Sequence, residues 1–291
     1  MKWCTHSLSH GCLQAVFKAM KNSFSVALLL AFSLVVRSQN WFPLSYSLSV
    51  GGTQVTDTHR SVLFQNPALS SLLRHAQLGA EYESRYAITE LDSKGLRFSY
   101  PFSHFTVTAD VRYSGFDAYH ELLTGIGFSR DFGGRFSMGL QLITESRYAV
   151  ESDRYYSGFF PQLGLFVPLS SGVAIGFSAY NPFQAQLKYE SESRPLPSVY
   201  SMGMKLQLSE TVEWRIQADQ EVSNRLRVGT VVELIFREKF FVQTGVSYHH
   251  FFVPSVGVGV EWNRLQFNLI SSLHPILGLT IASGLFYRFT R

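Results

Sequence analysis

The chain has 291 residues, 46% of them hydrophobic and 15% aromatic, but only 16% charged, where an average soluble domain carries roughly a quarter charged residues. This excludes intrinsic disorder and disfavours an ordinary solvated surface. With a mean hydropathy of only +0.05, and no apolar run past the N-terminus of the roughly 18 residues a spanning helix needs, a helical membrane bundle is also disfavoured.

The formal net charge of +4 belongs to the leader. Lys2, Lys18, Lys21 and Arg37 stand in residues 1–39 without an acid, and without them 21 basic residues of the 25 face 21 acidic ones. No basic patch points to nucleic acid. Both cysteines, Cys4 and Cys12, lie in the same stretch, so neither a disulfide framework nor a thiolate metal site is expected in the remainder. Residues 20–38 carry Lys21, an apolar run from Phe24 to Val36, and small residues at Val36 and Ser38. That is the pattern of a secretory signal cleaved before Gln39, with Met20 as the expected true start. Residues 1–38 are thus read as a leader, 39–74 as a plug segment, and 75–291 as a barrel.

Residues 39–74 do not alternate. They hold Gly51-Gly52, a polar stretch from Thr53 to Arg60, and Asn66-Pro67-Ala68-Leu69. Proline disfavours a central strand, and Asn-Pro is a turn signal. From about residue 75 the pattern has period two. Phe105, Val107, Ala109, Val111 and Tyr113 fall on one face, His104, Thr106, Thr108, Asp110 and Arg112 on the other. Val212, Trp214, Ile216 and Ala218 likewise oppose Glu213, Arg215 and Gln217. About fourteen such segments are expected, of about ten residues each, the length of a tilted membrane strand. They are 75–85, 94–102, 104–113, 120–131, 135–146, 158–168, 172–181, 198–208, 211–221, 225–236, 239–249, 254–262, 264–273 and 277–290. Connections after even-numbered segments are short. Those after odd ones are expected to be longer, above all 147–157 and 182–197, with 222–224 an exception.

An even strand count, short turns on one rim and longer loops on the other describe an antiparallel transmembrane β-barrel of the bacterial outer membrane, with both termini periplasmic. A soluble sandwich would show a solvated face rich in Lys and Glu, whereas here one face is Leu, Val, Phe and Tyr on nearly every strand. Lipid demands that every backbone group be paired, and closing the sheet achieves this. Tyr113, Tyr180, Tyr200, Tyr248 and Trp262, near strand ends, suit an aromatic girdle. Leu285, Tyr287 and Phe289 make an alternating aromatic final strand.

A glycine pair, a polar stretch and Asn-Pro-Ala-Leu ahead of about fourteen strands resemble the FadL-type long-chain fatty-acid transporters. The chain is also similar to their compact Bacteroidetes relatives, the PorV/PorQ-like components of type IX secretion. Supporting motifs are Asn181-Pro182, Leu196-Pro197-Ser198-Val199-Tyr200, Arg227-Val-Gly229 through Glu233, Gln243-Thr-Gly245, Gly257-Val-Gly259 and Leu277-Gly278-Leu279-Thr280. The resemblance implies that the N-terminal segment is a hatch inside the barrel, with Gly51, Gly52, Asn66, Pro67 and Ala68 as its motif. It also implies passive transport of a hydrophobic ligand; the alternative is a scaffold or shuttle for a secretion-system protein. Outer loops shorter than the family's favour the alternative.

Charged side chains expected to face the lumen are Arg97, Asp110, Arg112, Arg135, Lys205, Glu213, Arg215, Arg227, Glu233, Glu261 and Arg288. Both signs occur, which suits a salt-bridged interior holding the hatch better than a charged solute pathway. Gly125, Gly127, Gly257 and Gly259 leave side-chain-free positions where a plug can approach. No spacing links a nucleophile to a base, so a non-enzymatic role is expected. Adjacent His249 and His250 would point to opposite faces of a strand, so no metal or other cofactor is expected. Tyr148–Tyr156 is read as an exposed outer loop, with Tyr and Arg that would suit a partner contact.

Overall fold

The structure, a computed structural model, describes residues 48–151, 153–188, 193–222, 226–237 and 239–289. The leader, with Met20 and both cysteines, and residues 39–47 of the plug segment lie outside the described residues. The wall is built from β1 (Gln77–Ser84), β2 (Ser93–Pro101), β3 (Thr106–Phe116), β4 (Tyr119–Asp131), β5 (Ser137–Ala149), β6 (Arg154–Ser170) and β7 (Val173–Tyr180). After a small hairpin of β8 (Gln186–Lys188) and β9 (Ser193–Pro195) come β10 (Val199–Ser209), β11 (Val212–Glu221), β12 (Arg227–Phe236), β13 (Phe240–His249), β14 (Phe251–Trp262), β15 (Leu265–His274) and β16 (Gly278–Arg288). All but β8 and β9 close into one antiparallel barrel of fourteen strands, sealed where β1 pairs with β16 from Gln77↔Arg288 to Ser84↔Ile281.

Closure follows from the pattern. In β3, Thr106, Thr108, Asp110 and Arg112 are buried, while their neighbours face outward. The exterior carries a band of exposed Leu96, Ile126, Met138, Phe159, Met202 and Val256. A contiguous apolar belt of this extent on a water-facing surface would drive association; around a closed barrel it is a lipid-facing surface. Both ends of the wall, Gln77 and Arg288, lie on one rim, with the turns at 102–105, 132–136, 171–172 and 263–264.

Two expectations are corrected. The segment 147–157 is not a long loop: β5 runs to Ala149, β6 starts at Arg154, and Tyr148 pairs with Tyr155. Aromatic cross-strand pairs extend the ladder there, and the charges of Glu145 and Arg147 on the inner face had masked the alternation. Tyr180 is not part of a girdle. It shares the inward parity of Ala174, Gly176 and Ser178, and is 1% exposed.

Candidate functional site: the hatch, the lumen and an apolar layer

Residues 48–72 lie inside the barrel, in three short 3-10 turns, Val50–Gly52, Gln54–Thr56 and Pro67–Leu72. Glycine on both sides lets backbone meet backbone. Gly51 and Gly52 take φ of 62° and 65°, a region that favours glycine. A Cβ on Gly229 of the wall would lie 1.8 Å from the Gly51 carbonyl oxygen, and one on Gly52 2.0 Å from the Arg227 guanidinium. The Gly51 amide donates to Ser255 Oγ at 2.8 Å, and Arg227 Nη2 donates to the Gly52 carbonyl at 2.8 Å while paired with Asp219.

Asn66 joins the hatch to the opposite wall. Its Nδ2 donates to the carbonyls of Val55 at 2.9 Å and Leu165 at 3.0 Å, and its Oδ1 accepts from the Ala68 amide as an N-cap. Pro67 opens the following turn, where no donor is needed. Gly139 and Gly164 receive this corner, since a Cβ there would stand 2.4 Å from Pro67 and 2.1 Å from Asn66. Gly257 and Gly125 make room for Val50 and Phe64, but Gly127 and Gly259 do not serve the hatch: they accommodate Thr108 and the Phe241 ring.

The predicted charges fall into two lattices. On one side Arg97 forks onto Asp110 at 2.8 and 3.0 Å, and also donates to Ser61 Oγ and the Val62 carbonyl. Asp110 accepts in addition from the Phe64 amide and Gln141, and Glu81 accepts from the Leu63 amide. On the other side Arg215 pairs with Glu213, Glu233 and the hatch's Asp57, while Arg60 pairs with Asp57 and Glu233. Lys205 reaches Glu213 and Thr58. All of these charges except Glu81 and Lys205 are nearly solvent-free, and charges so desolvated hold only when paired and hydrogen-bonded. Arg112 binds Glu83 nearer the loop-bearing rim. Glu261 and Arg288 pair with each other, half-exposed, at the short-turn rim. Arg135 is a correction: its parity suits the lumen, but β5 begins two residues later, and Arg135 is exposed in the turn closed by Gly133 and Gly134.

Sequence reasoning missed Asp57 and Arg60, which stand in the non-alternating hatch, and Glu145 and Arg147, which had been assigned to a strand end and a loop. It also missed the layer above the hatch. Leu63 and Phe64 at the hatch tip pack with Leu123, Ile143, Phe160, Tyr180, Leu187, Leu196 and Val199. Leu187 and Leu196 come from the connection between β7 and β10, whose described parts, 181–188 and 193–198, fold into the barrel mouth. Asn181, at φ 49°, clasps it: its Nδ2 donates to the carbonyls of Leu196 and Pro197, and its Oδ1 accepts from the Ala185 amide at 2.8 Å. At the other rim a cavity of about 250 Å³ lies among Asp57–Ser61, Leu69, Ser70, Leu72–His75, Gln77 and Arg288. Around the hatch the ion pairs alternate with two smaller apolar clusters, Leu48, Val50 and Val62 against Val231, Ile270 and Ala282, and Ala68 and Leu69 against Phe166 and Ala174; the larger apolar layer lies between the hatch tip and the outer loop.

No family model and no curated protein matches the chain. Solved structures do. The chain is similar to a mutant of the TodX monoaromatic hydrocarbon channel (TM-score 0.64, 11% identity, 84% of this chain and 98% of that one). It is similar to the Pseudomonas putida toluene transporter TodX (0.59, 12%, 84% and 95%) and to a Pseudomonas aeruginosa FadL homologue (0.59, 11%, 84% and 98%). At this identity the likeness is one of fold, and the chain has the closed-barrel fold of these FadL-type channels.

Proposed function

We propose that the protein is a non-enzymatic channel of the bacterial outer membrane that passes hydrophobic small molecules. In this reading the short-turn rim and both termini are periplasmic, and the 181–198 rim faces outward. The observation that carries it is the apolar layer where an outer loop and the hatch tip meet, the largest of three buried apolar clusters among the described residues. A barrel that merely needed filling could continue the ion-paired lattice; an apolar layer selects apolar matter. The barrel fold shared with hydrocarbon channels agrees with it. The test is uptake of radiolabelled toluene and of a long-chain fatty acid by a Gram-negative host lacking its own hydrophobic-compound channel. Expression of this chain should raise the initial uptake of at least one several-fold; unchanged uptake of both, with the folded barrel present in the outer membrane, would refute it.

A second reading, a scaffold or shuttle for a secretion-system protein of the type IX kind, as in the PorV-like relatives, is favoured by one observation. The hatch is bonded to one wall through buried ion pairs and to the opposite wall through hydrogen bonds, as in a barrel that opens no passage. Stoichiometric co-purification of a protein partner, without transport, would establish it.

A further inference from the structure

Among the buried polar atoms without a hydrogen-bond partner are Tyr180 OH, in the apolar layer, and Glu145 Oε2, on the wall beside it, on side chains 1% and 0% exposed. An unpaired buried polar atom is costly and is rare in a native interior. Both belong to one panel of the wall. Glu145 pairs across β5 and β6 with Gly158, Tyr180 across β6 and β7 with Gln162, and Phe160, between those two on β6, stacks edge-on against Tyr180 at 4.9 Å. Gly158 leaves a gap in this panel, and Leu196 and Leu187 of the outer loop fill it, 2.7 and 3.4 Å from where its Cβ would be. Displacing these two leucines would therefore open an apolar space bordered by an acceptor and a hydroxyl.

The chemistry of these two atoms restricts what fits. A ligand hydroxyl can accept a hydrogen bond from Tyr180 OH and donate its own proton to Glu145 Oε2, satisfying both at once. A plain hydrocarbon leaves both unpaired. A carboxylate meets a carboxylate, and the cations around it are engaged: Arg147 lies 2.6 Å from Glu145 and 3.2 Å from Glu121, Arg112 3.1 Å from Glu83, and Arg85 pairs with Glu83. We infer that the layer is a binding site for an apolar molecule bearing a hydroxyl, an alcohol or phenol, which replaces Leu187 and Leu196 over Gly158 and bridges Tyr180 and Glu145. The inference rests on the transport reading and names its substrate class.

The test is calorimetric titration of the purified full chain, in non-ionic detergent, with p-cresol, toluene and p-toluate, each corrected for its partition into empty micelles. p-Cresol should bind at least about tenfold more tightly than either analogue, because the site's polar atoms stay unpaired without the hydroxyl. Tyr180→Phe and Glu145→Gln should each lower p-cresol affinity toward that of toluene and leave toluene unchanged. Tyr180→Phe keeps the ring that packs on Phe160, so it carries the test if Glu145→Gln fails to fold. Equal binding of p-cresol and toluene, or tightest binding of p-toluate, would overturn the hydroxyl site and leave the transport reading standing. Absence of binding by all three would overturn both.

Discussion

The closest approach of hatch and wall gives the sharpest prediction. Replacing Gly229 by alanine places a Cβ 1.8 Å from the Gly51 carbonyl oxygen and 3.0 Å from its carbon. Carbon and oxygen approach comfortably to about 3.3 Å, so the hatch must retreat by about 1.5 Å at Gly51. Two hydrogen bonds of 2.8 Å, Gly51 amide to Ser255 and Arg227 to Gly52, would then exceed bonding range. One is charge-assisted, and together they represent a loss of roughly 2–4 kcal/mol of hatch docking. The assay is a Thr53→Cys reporter, a position fully buried in the native chain, labelled by a membrane-impermeant maleimide in detergent. Gly229→Ala should raise labelling by about one and a half to three orders of magnitude, at 1.4 kcal/mol per tenfold, while the barrel stays resistant to unfolding in SDS. Val228→Ala, one residue away on the lipid face, should leave labelling at background. If Gly229→Ala is labelled no faster than its parent and melts at the same temperature at a fixed scan rate, the backbone-to-backbone contact is not what seats the hatch.

Three further outcomes follow from the same contacts. Arg97→Met strands Asp110 as a buried charge and should cost about 3–5 kcal/mol, read as a lowered heat-modification midpoint; Arg97→Met with Asp110→Asn should recover a large part of it. Asn66→Ala removes the bonds to Val55 and Leu165 and the Ala68 cap, and should raise Thr53→Cys labelling while leaving wall strands protected from hydrogen exchange. Asn181→Gly keeps the positive φ but removes the side-chain clasp of the outer loop, and should speed hydrogen exchange at the amides of Ala185 and Leu196, which bond to Asn181 and to Ala185 in the native chain, without changing hatch labelling.

The wall was legible because alternation is a local signal. Val107 to Tyr113 against Thr106 to Arg112 needs no knowledge of the partner strands to assign its two faces, and one lipid-facing side settles the sign. The lumen was legible only in part. Arg97 and Asp110 declare themselves as charges on the polar face of regular strands, but their partners Val62 and Phe64 lie in a segment without period, where sequence gives no direction. Arg135 misled because parity continues past the end of a strand, while burial does not. Tyr180 misled because tyrosine at a strand end suits either the interface outside or the lumen, and only the position of β7 relative to β6 decides. The apolar layer was hidden for a related reason: Leu63, Ile143 and Leu196 come from hatch, wall and loop, and nothing in the order of the residues joins them.

A plug bonded to opposite walls also acts as a gauge. The turn Pro67–Leu72 rests on β3 to β6, Gln54–Thr56 on β7, β10 and β11, and Val50–Gly52 on β12 to β15. The bore of a barrel grows roughly in proportion to its strand number, so two extra strands would widen it by about one part in seven and pull one of these footholds away. The hatch thus rewards a single circumference. A segment that reads as mere stuffing carries a measure of how many strands the sheet must contain before its first and last edges meet.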